Sequence, residues 1–532
     1  MEFIESSKKN SVDSNYFSEL KVKKIKGGLL KKIPSVKKIL KPQKKLSVKK
    51  ILKPKKIPSD KKVLNPKKIP SDKKVLNPKK IPSDKKVLNP KKIPSDKKVL
   101  KPKKIPSDKK VLKPKEKKRT PGDFIYLDNV ETSVLDSKVE QIYKKNIHVS
   151  TSKTLISQDE KNKIVINSKE YILNVCEAPI DKYSIYYTSG EIESNIIILC
   201  CAVNAYKKIK KTKPHVAISA VDHSSILIYA KSLEDSDQIE LSIIKPNSYG
   251  CILSDSVLQV LKPNTCFVSI SYINRELGSV NNIEKISAIL HDKKIPLHCD
   301  CTHIFGKHKL DLTKTNIDTA TISFDKINGP PGVGALIISN DLLNGYKLYE
   351  HSSTLSGKRN ENIPAIIASV AAIKICLENR KDKNIKLLKL RNEIIRKIGE
   401  DCQTMTFANF MKSDEPPLDN LADTNNTKTQ KINTKTKIII LGPPPDNESY
   451  FTPSIISIII LNEKNITGAI IKDKLELEGI IIGVPEIEKN IMYQEMGLPE
   501  ASLKYIIRIS LDDSITHDNI EKFITQLKYI IF

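Results

Sequence analysis

The 532-residue chain has no tryptophan, no CxxC cysteine pair and no apolar run near the roughly 18 residues that a membrane span needs. Its first residues, Met1-Glu2-Phe3, are not followed by an apolar core, so we expect no secretory signal. The nine cysteines are scattered between Cys176 and Cys402. An unpatterned set without an export signal is typical of reduced thiols, and we therefore expect a cytoplasmic protein without a membrane segment.

Acidic residues are scarce in the first fifth of the chain. Residues 1–120 contain 42 Lys and Arg against 10 Asp and Glu, which leaves 49 against 51 for the remainder. Seven twelve-residue repeats fill residues 31–114, and five of them have the form KKIPSDKKVL(N/K)P. Each of these five has two prolines, which prevent a long helix or a paired strand, and too few apolar residues for a core. We predict a disordered basic arm over residues 1–122.

The repeats allow two interpretations. Lysines spaced along residues 31–119 without aromatic neighbours suit a sequence-independent contact with nucleic acid or another anionic surface. A solubilising tail without a specific partner would have the same composition.

From Phe124 onward, apolar runs of strand length alternate with amphipathic helical stretches. Such alternation predicts an α/β domain with a mainly parallel sheet, here over residues 123–380. Residues 363–398 are predicted to be a long helical connector. A smaller α+β domain follows over residues 381–532, with a flexible insertion at 412–437 that is rich in Asn, Thr and Lys.

A lysine follows one of the apolar runs and is a candidate for chemistry. Lys326 comes after the run 319–324, and a Pro/Gly turn separates it from a second apolar run, 335–338. The pattern predicts strand, turn, strand. Desolvation at the strand end would lower the pKa of the amine, as Schiff-base chemistry requires. Most lysines beside such turns are solvated, so the upstream residues decide.

Four upstream stretches supply what an aldehyde cofactor with a phosphate and a pyridine ring needs. Thr188-Ser189-Gly190 precedes a helix whose N-terminus suits a phosphate, although such turns are common helix caps. His223 follows a strand, where its imidazole could stack on a flat ring, and residues 271–278 close another strand. Asp300 ends an apolar strand, where a buried carboxylate needs a cationic partner such as a pyridinium nitrogen.

In order and spacing these motifs resemble the NifS-like cysteine desulfurases, a class-V aminotransferase family. The resemblance covers roughly residues 124–532 and is carried by YLDN, TSGxxES, SAV-acid-H, NxExG, a strand-end Asp with FGK, SxxKxxGPxGVGAL, NENIP, MGLPE and RxSL, which begin at residues 126, 188, 219, 274, 300, 323, 360, 496 and 508. It implies the fold-type-I architecture of enzymes that use pyridoxal 5'-phosphate, a large α/β domain with a small α+β domain, a homodimer, and a cysteine-like amino acid as substrate.

The resemblance also implies roles for individual residues. Lys326 would form the Schiff base with pyridoxal 5'-phosphate, Asp300 would pair with the ring nitrogen and His223 would stack on the ring. Arg508 would clamp the substrate carboxylate. The remaining residues implied to bind or border the cofactor are Thr188, Ser189, Gly190, Ser323, His303 and Arg275. No metal is implied.

Several departures fall inside this predicted site. Asp325 replaces the family's histidine before the lysine, Ile192 replaces a phosphate-binding threonine, and the acidic Glu191 lies beside it. Arg275 and His303 replace an asparagine and a glutamine of the family. At the motif whose threonine reaches the partner protomer's phosphate, the aligned residue is Asn360.

The largest departure concerns sulfur. The family carries its persulfide-forming cysteine on a loop that aligns with residues 479–488, and no cysteine follows Cys402 in this chain. A desulfurase needs a thiolate to attack the substrate sulfur. The cysteine-less segment resembles the divergent NifS-like proteins of large cytoplasmic DNA viruses.

Two hypotheses follow. The chain binds pyridoxal 5'-phosphate through Lys326, with desulfurase activity altered or lost because the persulfide cysteine is missing. Alternatively, it is a catalytically inactive scaffold that its basic arm tethers to nucleic acid.

Overall fold

The computed structural model describes residues 124–150, 157–352, 355, 361–378, 380–412, 436–443, 450–486 and 491–532. The predicted repeat arm, nearly all of the predicted insertion at 412–437, and Asn360 lie outside the described residues. Within the described residues, no helix combines the length and the apolar character needed to cross a membrane.

The strands of the described part of the chain are, in order, β1 Ile125–Leu127, β2 Tyr183–Thr188, β3 His215–Ser219, β4 Glu240–Ile244, β5 Thr265–Ser269, β6 Leu297–Asp300, β7 Thr319–Ser323, β8 Gly334–Ser339, β9 Gln403–Thr406, β10 Lys437–Leu441, β11 Ile455–Leu461, β12 Ile480–Ile482 and β13 Ile506–Ser510.

The α-helices of the described residues are α1 Ser137–Asn146, α2 Gln158–Val175, α3 Glu191–Lys210, α4 Ser224–Asp235, α5 Ser254–Val260, α6 Ile283–Asp292, α7 Leu312–Thr315, α8 Asn340–Gly345, α9 Ile363–Leu377, α10 Arg380–Gly399, α11 Phe407–Phe410, α12 Gly468–Leu477, α13 Ile491–Glu495, α14 Glu500–Leu503 and α15 His517–Ile531.

The main sheet has seven strands in the order β2-β8-β7-β6-β5-β3-β4. Neighbouring strands are parallel except at β8, which runs antiparallel to both β2 and β7. Every residue of β3, β5, β6 and β7 is buried, because both faces of a parallel sheet are covered by helices. The predicted α/β class with a mainly parallel sheet is confirmed.

A second sheet of four strands has the order β13-β11-β10-β9, and β1 pairs in parallel with β12 in a two-stranded sheet. The isoleucine-rich strands of the second sheet pack with α10, α12 and α15 in a core of their own. β10 and β11 coincide with the apolar runs 437–441 and 455–461. The boundary between a large and a small domain stays a prediction.

The predicted single helical stretch over 363–398 is wrong in one respect. Two helices, α9 and α10, occupy it, and α9 ends at Leu377 with Glu378 already extended. α9 is almost entirely buried, whereas α10 is mostly polar, so the two helices differ in how they pack.

The segment around Lys326 follows the predicted order of strand, turn and strand. β7 ends at Ser323, a 3-10 turn covers Phe324–Ile327, and β8 starts at Gly334. The turn closes at Asn328, whose φ of 60° lies in the left-handed region that asparagine tolerates. A short turn with a buried lysine is therefore fixed directly at the end of a core strand.

Gly334 is the point at which β8 passes the turn that follows β2. A Cβ added there would lie 2.7 Å from the Gly190 Cα and 2.7 Å from the Ile322 carbonyl oxygen. Only a residue without a side chain permits this approach, and it places the Gly190 turn beside the end of β7.

We expect Gly334→Ala to lower the free energy of unfolding by about 1–3 kcal/mol, because backbone atoms of two strands would have to move apart. Gly345→Ala is the matched control, since nothing lies within 4 Å of a Cβ at Gly345. Thermal unfolding of both variants checks this. Equal midpoints for the two variants would contradict the close approach.

Candidate active site

The carboxyl ends of the parallel strands converge on one cavity of about 460 Å³. β2 ends at Thr188, β6 at Asp300 and β7 at Ser323, while His223 follows β3. Ligand sites of α/β sheets form at this edge, because the loops that leave parallel strands meet there.

The structure brings most of the sequence-predicted residues to this cavity. Those that line it are Ser189, Gly190, His223, Arg275, Ser323, Lys326 and Arg508. Thr188, Asp300 and His303 are buried beside the site without contributing to the described wall. The Nδ1 atom of His303 has no hydrogen-bond partner among the described residues.

Lys326 is buried, with 6% of its surface exposed, and its amine faces oxygen atoms. Nζ donates to the backbone carbonyl of Glu131. It lies 3.0 Å from a carboxylate oxygen of Asp325 and 4.0 Å from one of Glu191. The amine is thus held in place by groups from three separate segments.

Glu191 is the first residue of α3 and lies between Lys326 and His223. One of its carboxylate oxygens is 3.4 Å from His223 Nε2. Burial raises the pKa of Glu191 to about 7, and the charges of Asp300 and Asp325 add to the rise, while Lys326 and Arg275 oppose it. Near neutral pH this carboxyl group therefore changes its charge easily.

His223 is oriented by the start of α4. The Ser225 backbone N–H donates to His223 Nδ1, so Nδ1 carries no proton. Burial, followed by the charge of Arg275, lowers the pKa of the imidazole to about 4. The ring is neutral with its proton on Nε2, which faces Glu191.

Asp300 is a buried carboxylate that is hydrogen-bonded but not ion-paired among the described residues. Its oxygens accept from the Asn195 side-chain amide at 3.0 Å and from the Thr302 N–H at 3.0 Å. Asn195 in turn bonds His298 Nε2 at 3.0 Å. A buried charge without a counterion favours a cationic ligand group, which a pyridinium nitrogen would supply.

The other end of the cavity has a different character, because three of its hydrogen-bond donors already have partners in the chain. Ser323 Oγ donates to Asp325 at 2.5 Å, and the Ser189 N–H donates to Glu193 at 2.6 Å. The Thr188 hydroxyl bonds Ser194 Oγ at 2.8 Å. The ring end therefore fits a pyridoxal-type group, whereas the predicted phosphate end is occupied by carboxylates of the chain itself.

Arg508 lies at the far wall and is enclosed by acids. Its guanidinium donates to both oxygens of Glu276 at 2.8 Å and to Asp128 at 2.9 Å. Burial lowers the pKa of Arg508, but Glu276 and Asp128 outweigh burial, so the pKa rises above its ordinary value. Its Nε has no partner among the described residues.

Arg275 also has carboxylate partners. Its Nη2 lies 2.5 Å from Glu131, and its Nε lies 3.5 Å from Glu276. All three basic side chains of the described cavity wall, including Lys326 and Arg508, therefore have an acidic neighbour within 4.0 Å.

Sequence reasoning missed the residues that hold this network together. Glu131, Glu276 and Asp128 contact the cationic residues, and Asn195 contacts Asp300. A signal was present in the sequence, because an acid lies inside or beside the motifs that begin at residues 126 and 274. Pairing Glu131 with Arg275, and Asp128 and Glu276 with Arg508, requires contacts between positions more than 100 residues apart.

The family model for class-V aminotransferases matches residues 125–405, which is more than half of the chain. The chain belongs to this family, in its NifS-like cysteine desulfurase branch. Kinship with viral members of that branch stays a prediction.

Curated relatives and solved structures agree with this placement. The chain is 31% identical to the putative cysteine desulfurase NifS of Bacillus subtilis over 51% of its own length and 67% of that protein. It is also 31% identical to the cysteine desulfurase IscS of Plasmodium falciparum, over 51% of its own length and only 50% of that protein. A NifS-like protein from Rickettsia africae superposes with a TM-score of 0.58 at 20% identity, covering 76% of this chain and 99% of its own, which supports the fold.

We expect Glu191→Gln to stabilise the protein more at pH 8 than at pH 5. The pKa of Glu191 lies near 7 in the folded chain against an ordinary value of 4.5, so the folded state holds this proton more tightly than the unfolded state. Stability is consequently lost as the pH rises from about 4.5 to 7, and the amide removes that loss, roughly 1–3 kcal/mol.

Urea unfolding at the two pH values measures this difference. Glu170→Gln is the control, because Glu170 is exposed on α2. If the stabilities of Glu191→Gln and the parent chain change in parallel between pH 5 and pH 8, the carboxyl group is not perturbed as described.

Proposed function

We propose that this NifS-like protein binds a pyridoxal-type aldehyde cofactor, in its family pyridoxal 5'-phosphate, through Lys326, and that it has altered or lost desulfurase activity. One observation carries the proposal. A buried lysine amine faces the same cavity as a neutral histidine, next to a buried aspartate that has no counterion among the described residues.

The cofactor, when bound, supplies an electron sink for bonds at the α-carbon of an amino-acid substrate. Lys326 offers its amine, which the nearby carboxylates of Asp325 and Glu191 hold in place. His223 presents a neutral ring with one Nε2 proton, and Asp300 offers a charge suited to a pyridinium. Arg508 would meet a substrate carboxylate by exchanging one of its partners, Asp128 or Glu276, for it.

The cysteines support the loss of desulfurase activity. All nine lie in the described residues, as free thiols, and none lines the cavity. Burial raises the pKa of seven of them, which disfavours the thiolate: Cys176, Cys201, Cys251, Cys266, Cys299, Cys376 and Cys402. The segment that should carry the persulfide cysteine contributes Val484 and Glu486 to the cavity wall instead, and residues 487–490 lie outside the described residues.

The proposal predicts that borohydride reduction in the presence of pyridoxal and pyridoxal 5'-phosphate together labels Lys326 far above other lysines. Peptide mass mapping of the full chain measures this, and mapping is necessary because the arm is rich in lysine. Lys326→Ala should lose the label, whereas Lys474→Ala, at an exposed site, should keep it. Labelling of Lys326 no stronger than that of Lys474 would sink the proposal.

The alternative is an inactive scaffold tethered to nucleic acid, and the basic excess of residues 1–120 is the observation that favours it. Phosphate contacts by lysine predict that affinity for a random DNA duplex falls steeply with salt, on the order of tenfold or more between 50 and 200 mM. Fluorescence anisotropy compares the full chain with one lacking residues 1–121. Retention of binding after the deletion would contradict a role for the arm.

A further inference from the structure

We infer that two carboxylates, Glu191 at the start of α3 and Asp325 in the turn after β7, make this cavity selective for one kind of aldehyde cofactor. That cofactor has an uncharged hydroxymethyl group in place of the phosphate ester. The ligand class is therefore the dephosphorylated vitamer, pyridoxal. The inference rests on the proposed function and concerns the same site.

Three of the donors predicted to hold a phosphate already have partners within the chain. Ser323 Oγ, the Ser189 N–H and the Thr188 hydroxyl are each bonded to another group of the chain. Two of these partners are carboxylates, Asp325 and Glu193. A phosphate would have to displace both carboxylates from these donors and would then be repelled by them.

The negative charge of a phosphate ester is a second obstacle. Glu191 and Asp325 line the cavity beside Lys326, with carboxylate oxygens 4.0 and 3.0 Å from its amine, and a phosphate ester carries close to two negative charges at neutral pH. Like charges in a partly desolvated cavity repel strongly. A hydroxymethyl group has no such conflict, because it adds no charge and its hydroxyl can donate to a carboxylate.

A third obstacle is that the described cavity wall has no unpaired cation for a phosphate. Arg275 is paired with Glu131, and Arg508 with Glu276 and Asp128. Lys326 is itself the reacting amine: its Nζ forms a C=N bond to the aldehyde carbon, the aldehyde C=O bond breaks, and the oxygen leaves with the two Nζ hydrogens as water. This condensation needs no oxidant or reductant. No further positive side chain of the described wall remains to balance a phosphate.

The ring end lacks the charge conflict, because an aromatic ring that displaces Glu191 from its place between Lys326 and His223 adds no negative charge. Asp300 is held by Asn195 and Thr302 and lacks a counterion within the described residues, and His223 is neutral. The selectivity therefore concerns only the 5' substituent of the cofactor. The aldehyde and the ring nitrogen have the groups that they require, Lys326 and Asp300.

The test titrates the full chain separately with pyridoxal and with pyridoxal 5'-phosphate at pH 8, reduces each sample with borohydride and maps the adducts by mass. Exposed Lys474 in the same digest corrects for the intrinsic reactivity of the two aldehydes. We expect the corrected occupancy of Lys326 to be roughly tenfold or more higher with pyridoxal.

The double variant Glu191→Gln with Asp325→Asn should shift this preference at least about tenfold toward the phosphate ester. Glu170→Gln, the exposed control, should not shift it. Should the double variant fail to fold, the comparison on the unaltered chain still decides.

The outcomes separate the two claims. Equal or higher corrected labelling by pyridoxal 5'-phosphate overturns the selectivity and leaves the proposed function standing. Labelling of Lys326 by neither aldehyde overturns both. A preference for pyridoxal that the double variant retains overturns the role of the two carboxylates.

Discussion

The amine of Lys326 is the point to which the rest of the site is tied. It bonds the backbone of Glu131 from the segment after β1, contacts Asp325 in its own turn and lies near Glu191 at the start of α3. Burying an amine is costly unless oxygen atoms surround it, so these segments are held together by the need to satisfy one charge. The close packing of Gly334 against Gly190 brings two of them within reach.

Acidic residues decide what this arrangement can bind. Around Arg508 and Arg275 they neutralise the cations, and around Ser189 and Ser323 they occupy the donors. On the other side of the cavity, His223 keeps a neutral ring and Asp300 is buried nearby, which is the half that we propose meets a pyridine ring. The cavity therefore keeps the lysine of the family's motif. It differs from the family's pattern in the carboxylates that lie beside that lysine.

Much of the fold follows from the sequence because burial patterns are local. β10 and β11 coincide with apolar runs of the sequence, and the turn after β7 is predicted from its prolines and glycines. The helical break after Leu377 was not, since no proline or glycine marks it. The convergence of His223, Ser323 and Lys326 was predictable only through the order of motifs along the chain.

The pairings inside the site were not predictable from one sequence. Asp325 could have faced solvent, yet it bonds Ser323, and Asn195 bonds Asp300 across 105 positions. Glu131 contributes a backbone carbonyl, for which a sequence motif gives no sign. Such contacts depend on how loops of different strands approach, which periodicity does not encode.

A crystal structure of the full chain grown with pyridoxal tests the central claim most directly. The claim predicts continuous electron density from Lys326 Nζ to the ring, with the ring nitrogen against Asp300 and the hydroxymethyl group beside Glu191 and Asp325. A cavity that still has Glu191 between His223 and Lys326, with no ring attached to the lysine, would contradict it.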